Sequence, residues 1–228
     1  MNLLRIGQEA LTNAFKYASA SEIRVELRYE QSQCILQVKD NGQGFESTSL
    51  STGRGFGLLG ITAAIEAKLG APDVLLHNAV GGAFGSFLDI DPAVLNRNFQ
   101  VNTMGLLYLA RRLAPAMINA GKGAIMVTGN TSALRGRPSF AGFAPTKAAQ
   151  RILAEAIARD LGPKGIHVAY LVIDAVIDVA WTRERFKDKP DDFFIQPAAI
   201  AEEIWHVAHQ DRCAWSFNVE LRPYGESW

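Results

Sequence analysis

The strongest constraint on the fold is a strand–helix–strand pattern in the second half of the chain. Residues 124–128 form a short apolar run bounded by glycines, which predicts a buried strand. Residues 148–161 carry apolar side chains at helical spacing, and Gly162-Pro163 ends that run. A second buried strand is predicted from Gly165 to Ile173. Two strands joined through a helix predict a parallel sheet covered by helices, and therefore an α/β fold.

The composition narrows the choice of partners and of cellular compartment. The chain of 228 residues has 23 Lys and Arg against 23 Asp and Glu, so nothing favours nucleic acid or an anionic membrane surface. Cys34 and Cys213 are not at metal-ligand spacing, and we expect reduced thiols. The chain starts without the apolar core of a secretory leader, and no apolar run reaches membrane-spanning length. We therefore expect a cytoplasmic protein.

The first quarter of the chain predicts a helix followed by a β-hairpin. Apolar residues recur at helical spacing over residues 2–18. Residues 22–29 alternate apolar and charged side chains, and residues 34–39 form a second strand after a polar turn. A Gly-rich turn follows this hairpin, and a second glycine cluster at residues 53–60 opens another helix.

These blocks resemble the ATP-binding domain of sensor histidine kinases, over residues 1–62. The resemblance implies an ATP and Mg²⁺ site formed by Glu9, Asn13, Asp40, Gly42, Gly44, Gly55 and Gly57. Within it, Asn13 would hold the metal ion, Asp40 would accept from the adenine amino group, and the glycines at residues 53–60 would lie beside the triphosphate.

The residue types suit those roles on physical grounds as well. Glu9 and Asn13 are four apart and share a helix face, where a carboxylate and a carbonyl can hold a hard cation. Glycines before a helix let backbone N–H groups approach phosphate oxygens. The alternative is that the pair is a solvated helix face and the glycines form a flexible loop. The helices that carry a kinase's phosphoacceptor histidine, and the strands that follow its glycine box, have no match here, so we expect no kinase activity.

The remainder of the chain, from about Gly70, resembles the later part of a short-chain dehydrogenase/reductase. Four blocks carry this resemblance: Asp73-Val-Leu-Leu-His-Asn78-Ala, Asn98-Phe-Gln-Val-Asn102, Phe143-x-x-x-Lys147 and Arg159-Asp-Leu-Gly-Pro-Lys-Gly-Ile-His-Val. It implies an NAD(P) cofactor contacted by Asn78 and Lys147, and a small carbonyl or alcohol substrate. It also implies a homodimer formed through a helical face.

The resemblance places four residues in the family's catalytic positions: Asn102, Asn130, Phe143 and Lys147. Asn102 and Lys147 match the family's Asn and Lys. Phe143 stands where the family has Tyr, and it has no proton to transfer. Asn130 replaces the family's Ser, although an Asn side chain can stabilise an oxyanion. We expect a pseudoenzyme with weak or lost hydride transfer, while an enzyme whose acid lies elsewhere remains the alternative.

The family's opening Gly-x-x-x-Gly-x-Gly loop has no match before Asp73. The chain is therefore interpreted as a fusion of two truncated parents, with domains at residues 1–62 and 63–228. Its sheet would keep four strands, at residues 73–77, 124–128, 166–173 and 216–221. Because the first of these would have a free edge, we expect the hairpin to cap it.

The predicted architecture is α/β: a parallel half-Rossmann sheet with flanking helices, preceded by a helix plus β-hairpin segment of histidine-kinase type. Three functions stay open: an NAD(P)-linked oxidoreductase with weak or lost activity, an ATP-binding module without kinase activity, and a non-catalytic interaction protein. His77 is expected to be a packing histidine, and Asp174 and Asp178 are expected to cap a turn or helix. His206 and His209 lack further clustered ligands, so no metal site is expected there.

Overall fold

The computed structural model describes residues 21–29, 34–41 and 58–225. The chain divides into two compact units, Met1–Gly70 and Ala71–Trp228. The helix predicted at residues 2–18 lies outside the described residues, as do six residues of the ATP-site prediction: Glu9, Asn13, Gly42, Gly44, Gly55 and Gly57.

The first unit contains the predicted hairpin. Its strands, β1 (Ile23–Tyr29) and β2 (Cys34–Asp40), pair antiparallel along their full length. The Oδ1 atom of Asn41 accepts hydrogen bonds from the backbone N–H groups of Ser21 and Glu22, at 3.0 and 2.9 Å. That side chain closes the open end of the hairpin. Helix α1 (Leu58–Leu69) follows in the same unit.

The second unit is built on a four-stranded parallel sheet. Its strands are β3 (Val74–His77), β4 (Gly123–Gly129), β5 (Ile166–Ile173) and β8 (Asn218–Leu221), in the spatial order β3-β4-β5-β8. All three pairings are parallel. The four strands predicted from the apolar runs are confirmed, and so is the α/β class.

Among the strands that the structure describes, β1 and β2 form a two-stranded sheet in the first unit, and β3 pairs with β4 in the second unit. The expectation that the hairpin caps the free edge of β3 stays a prediction.

Helices cover both faces of the sheet. Those of the second unit are α2 (Pro92–Phe99), α3 (Gly105–Ala120), α4 (Ala144–Leu161), α5 (Ala180–Arg185) and α6 (Pro197–Ala208). A π-helical turn, Gln100–Met104, joins α2 to α3 without a break. Two short strands, β6 (Val176–Ile177) and β7 (Phe194–Ile195), pair beside α5.

The core has two layers because side chains alternate along the buried strands. One layer packs α3 and α4 against the sheet and includes Leu106, Leu113, Met117, Ile125, Val127, Val168 and Tyr170. The other packs α6 against the opposite face and includes Ala124, Met126, Ala169, Leu171 and Val207. Within the residues described, no helix combines the length and the apolar character that crossing a bilayer requires.

Candidate active site

The candidate site lies where β3 and β4 end and α4 begins. The carboxyl ends of parallel strands lie at one edge of a sheet, which is where open α/β sheets bind ligands. Asn78 follows β3 directly, and Thr128 lies near the end of β4. The Thr128 Oγ1 hydroxyl donates to Asn78 Oδ1 at 2.7 Å, so the two strand ends are connected through side chains.

Lys147 enters this site from the first turn of α4. Its side chain is buried, and its Nζ atom donates to the Thr128 carbonyl oxygen at 3.0 Å. An ammonium group has three N–H donors, and within the described part of the chain one of them is used, by the Thr128 carbonyl. Burial disfavours the charged form and lowers the pKa of Lys147 to about 8. The predicted pair Asn78 and Lys147 therefore meets through Thr128.

Asn102 is held rigidly in the π-helical turn before α3. Its Oδ1 atom accepts from the Gly81 N–H group, and its Nδ2 atom donates to the Gly81 carbonyl and to Thr146 Oγ1, each at 2.8 Å. π-Helical turns are frequent at functional sites. Here the turn fixes the loop after β3 to the start of α4.

A buried histidine and a buried glutamine support the same turn. Both contact the Asn102 carbonyl oxygen, His77 through Nε2 at 3.2 Å and Gln150 through Nε2 at 2.8 Å. Burial lowers the pKa of His77 to about 4; the hydrogen bond to Asn102 opposes that shift and the charge of Lys147 adds to it. His77 is thus a neutral, satisfied packing histidine, as predicted.

Phe143 occupies the last position before α4. Its ring is only 6% exposed and lies 5.7 Å, centroid to centroid, from the ring of Phe84. Its carbonyl oxygen accepts from Thr146 Oγ1 at 2.7 Å, which secures the first turn of the helix. The side chain itself contributes an apolar wall and no exchangeable proton.

Asn130 lies at the start of the 3₁₀ turn Thr131–Ala133. Its Oδ1 atom accepts from the Ser132 N–H group at 3.1 Å and so caps that turn. The neighbouring hydroxyl is also engaged, because Thr131 Oγ1 donates to Asp174 Oδ1 at 3.0 Å. The carboxamide oxygen of Asn130 is therefore already occupied by a hydrogen bond from the backbone.

The expectation that Asp174 and Asp178 cap a turn or helix is wrong. Asp174 accepts from the Thr131 side chain, and Asp178 accepts from Arg183 and Gln196. The Arg183 and Gln196 side chains lower the pKa of Asp178 to about 2. Both carboxylates bind side chains that the fold brings to them, which local capping patterns do not reveal.

Four polar residues of this region were not predicted from the sequence: Thr128, Thr146, Gln150 and Tyr170. The Tyr170 hydroxyl is fully buried beneath α4 and donates to Gln150 Oε1 at 3.4 Å. Burial raises the pKa of Tyr170. Helical spacing could have indicated Gln150, which lies three residues after Lys147 on one face of α4. No comparable local signal identifies the strand residues Thr128 and Tyr170.

The described residues contain no cluster of three or more His, Cys, Asp or Glu side chains that could hold a metal ion. Asp40, the one residue of the ATP-site prediction that is described, ends β2 in the first unit. Asn78, Asn102, Phe143 and Lys147 are grouped around the start of α4 in the second unit.

The sequence of the chain that forms this candidate site matches a known family. The sequence profile described as short chain dehydrogenase matches residues 29–190. The chain belongs to the short chain dehydrogenase family. The profile match begins at residue 29, whereas the motif blocks that resemble the family begin at about Gly70. The resemblance of residues 1–62 to histidine kinases stays a prediction.

Individual similar proteins agree with this assignment. The uncharacterized oxidoreductase YbbO of Escherichia coli is 26% identical over 157 residues, which cover 64% of this chain and 58% of that protein. This chain thus spans less than two thirds of that relative. A short-chain dehydrogenase from Rhodopseudomonas palustris is 32% identical with a TM-score of 0.58, covering 72% of this chain and 69% of that one.

A third relative is similar in fold alone. It is an NADPH-bound short chain oxidoreductase from Pseudomonas aeruginosa that contains an atypical catalytic center. It is 18% identical with a TM-score of 0.64, and the similarity covers 73% of this chain and 70% of that one.

Proposed function

We propose that this short chain dehydrogenase keeps part of a nicotinamide dinucleotide site but has lost hydride transfer to a carbonyl or from an alcohol. The observation that carries the proposal is Phe143, whose apolar ring is buried at the position where the family has its catalytic phenol. The proposal refines the oxidoreductase ancestry that the family membership establishes.

The residues at the end of β3 and the start of α4 fit the ribose end of such a cofactor. Lys147 is a buried cation with a single carbonyl acceptor among the described residues, so it retains donors for ribose hydroxyls. Asn78 lies exposed at the end of β3, at the edge where α/β sheets bind ligands. The solved relative from Pseudomonas aeruginosa binds NADPH, which supports a nicotinamide cofactor for the same fold.

When bound, the cofactor supplies or accepts a hydride, and the protein must then supply or accept a proton at the substrate oxygen. Phe143 cannot do this. Tyr170 offers a phenol beneath α4, but its hydroxyl is fully buried, is used by Gln150 and has a raised pKa. Asn130 directs its carboxamide oxygen to a backbone N–H group. None of these side chains supports proton transfer.

Calorimetric titration with NADH and NADPH tests the binding part of the proposal. We expect saturable binding that is weakened about tenfold in Lys147→Met, because hydrogen bonds from charged donors contribute strongly to affinity. Lys164→Met removes an exposed lysine just beyond α4 and should leave the affinity unchanged. If neither nucleotide binds, or if both variants bind alike, the cofactor site is wrongly assigned.

The loss of hydride transfer is tested separately with a panel of aldehydes, ketones and secondary alcohols, following the absorbance of the reduced cofactor. The parent protein should show no turnover, and the double variant Phe143→Tyr/Asn130→Ser should gain it. Turnover by the parent would contradict the proposal and favour an enzyme whose acid lies elsewhere. A parallel titration with Mg-ATP tests the histidine-kinase alternative. Saturable ATP binding that is abolished in Asp40→Ala would favour that alternative.

A further inference from the structure

A cavity lies on the surface of the second unit, beside the Lys147 site. It has a volume of about 800 Å³ and is bounded by the loop between β4 and α4, the first turns of α4 and the segment after β3. Sites for small organic ligands span roughly 300 to 1,000 Å³. The cavity is therefore large enough for a drug-sized molecule.

The cavity and the Lys147 site use different faces of α4. Ala144 and Ala148, four residues apart, line the cavity, while Phe143 and Lys147 face the interior. Successive residues on a helix are about 100° apart, so each pair of residues four apart forms its own stripe. The two sites are therefore neighbours, and neither Phe143 nor Lys147 lines the cavity.

The walls of the cavity are mainly apolar. Phe87 and Leu134 are 78% and 54% exposed, and they line the cavity together with Phe140 and Pro145. Apolar side chains gathered around a concavity and left open to solvent mark interaction sites.

The charged side chains that line the cavity are all positive. Arg135 and Arg137 line it, and no carboxylate does. Throughout the described ranges, neither guanidinium takes part in an ion pair or a side-chain hydrogen bond. Two unpaired cations in a chain of zero net charge indicate complementarity to an anion, which a guanidinium binds through paired N–H donors.

We propose that this cavity binds an amphipathic organic anion, with an apolar ring or chain against Phe87, Leu134 and Phe140 and its acidic group at Arg135 and Arg137. The ligand class is a free small molecule with one carboxylate or sulfonate. The proposal does not rest on hydride transfer or on the nicotinamide cofactor.

Two fluorescent probes of similar shape separate the apolar and the charged contributions. The sulfonate 1-anilinonaphthalene-8-sulfonate should bind saturably at one site per chain. In Arg135→Gln/Arg137→Gln its affinity should fall about tenfold, as expected on losing charge-assisted hydrogen bonds. The neutral analogue N-phenyl-1-naphthylamine should bind parent and variant alike. Arg111→Gln, an exposed arginine of α3 outside the cavity, is the matched control and should change neither affinity.

Filling the cavity gives a second test that does not depend on charge. Ala148→Trp should weaken both probes together while circular dichroism shows that the fold is kept. Unchanged sulfonate affinity in the double arginine variant would overturn the proposal. So would sedimentation evidence that the protein is a dimer whose formation excludes the probe, since a second copy would then cover the cavity.

Discussion

His77 and Lys147 are ionizable side chains that the fold buries within one network around Asn102 and Thr128. Burial lowers the pKa of both, to about 4 and about 8. At neutral pH the histidine is therefore uncharged, whereas the lysine is still largely protonated and carries a desolvation cost. Each residue makes the stability of the protein depend on pH in its own range.

The contribution of His77 to the pH dependence of stability can be measured directly. Between the folded pKa of about 4 and the ordinary value of 6.5, the unfolded chain binds more protons at His77 than the folded protein does. Stability therefore falls as the pH decreases, and His77 should account for about 2 kcal/mol between about pH 7 and about pH 5. His77→Gln should remove that part of the loss in urea unfolding experiments at the two pH values.

Val127→Ala is the control for this experiment, because Val127 lies opposite His77 on β4, is buried and carries no ionizable group. It should lower the stability at both pH values and keep the pH dependence of the parent protein. An unchanged pH dependence in His77→Gln would show that His77 does not stay neutral in the folded state.

At the scale of elements, the segment from β6 to β7 is held together by one arginine. Arg183 of α5 binds both carboxylate oxygens of Asp178, at 2.6 and 2.7 Å, and Asp191 at 2.7 Å. Its guanidinium also lies 4.1 Å from the ring centroid of Phe194 in β7. A helix of six residues has little stability of its own, so these contacts hold α5 in place.

Replacing this arginine should loosen the whole segment. In Arg183→Met we expect chymotrypsin to cleave severalfold faster at Phe186, Phe193 and Phe194, since cleavage follows local opening. Arg185→Met, two residues further on, leaves the carboxylate contacts intact and should be cleaved at the parent rate. Equal cleavage of the two variants would show that Arg183 does not hold the segment.

At the scale of the whole second unit, stability depends on a sheet buried on both faces. Ile125 of β4 is fully buried against α3 and α4, and the next residue, Met126, is fully buried in the layer beneath α6. Close packing on both faces leaves little room for relaxation around a truncated side chain.

Removing a core side chain should therefore destabilise the unit strongly. We expect Ile125→Ala to lower the free energy of unfolding by about 3 kcal/mol through lost burial and a residual cavity. Ile152→Ala makes the same chemical change at a position of α4 that is 59% exposed, and should cost less than about 0.5 kcal/mol. Similar losses in the two variants, measured by denaturant unfolding, would contradict the two-layer core.

Much of this architecture follows from local patterns. The four sheet strands and α4 were predictable because each is a single run of apolar residues with the period of its own structure. Asn102 and Lys147 were identifiable by their spacing in blocks that resemble the family. That the Phe143 side chain has no exchangeable proton is likewise evident from the residue type alone.

Local patterns were thus enough to predict the class of the fold, the strands of its sheet and an apolar side chain at position 143. How the side chains are used becomes visible in the fold, where Asn130 caps a turn and Thr128 connects Asn78 to Lys147. The physical reason is distance along the chain. The bonds from Thr128 to Asn78 and from Gln150 to Asn102 join residues 50 and 48 positions apart, and no local periodicity encodes such pairings.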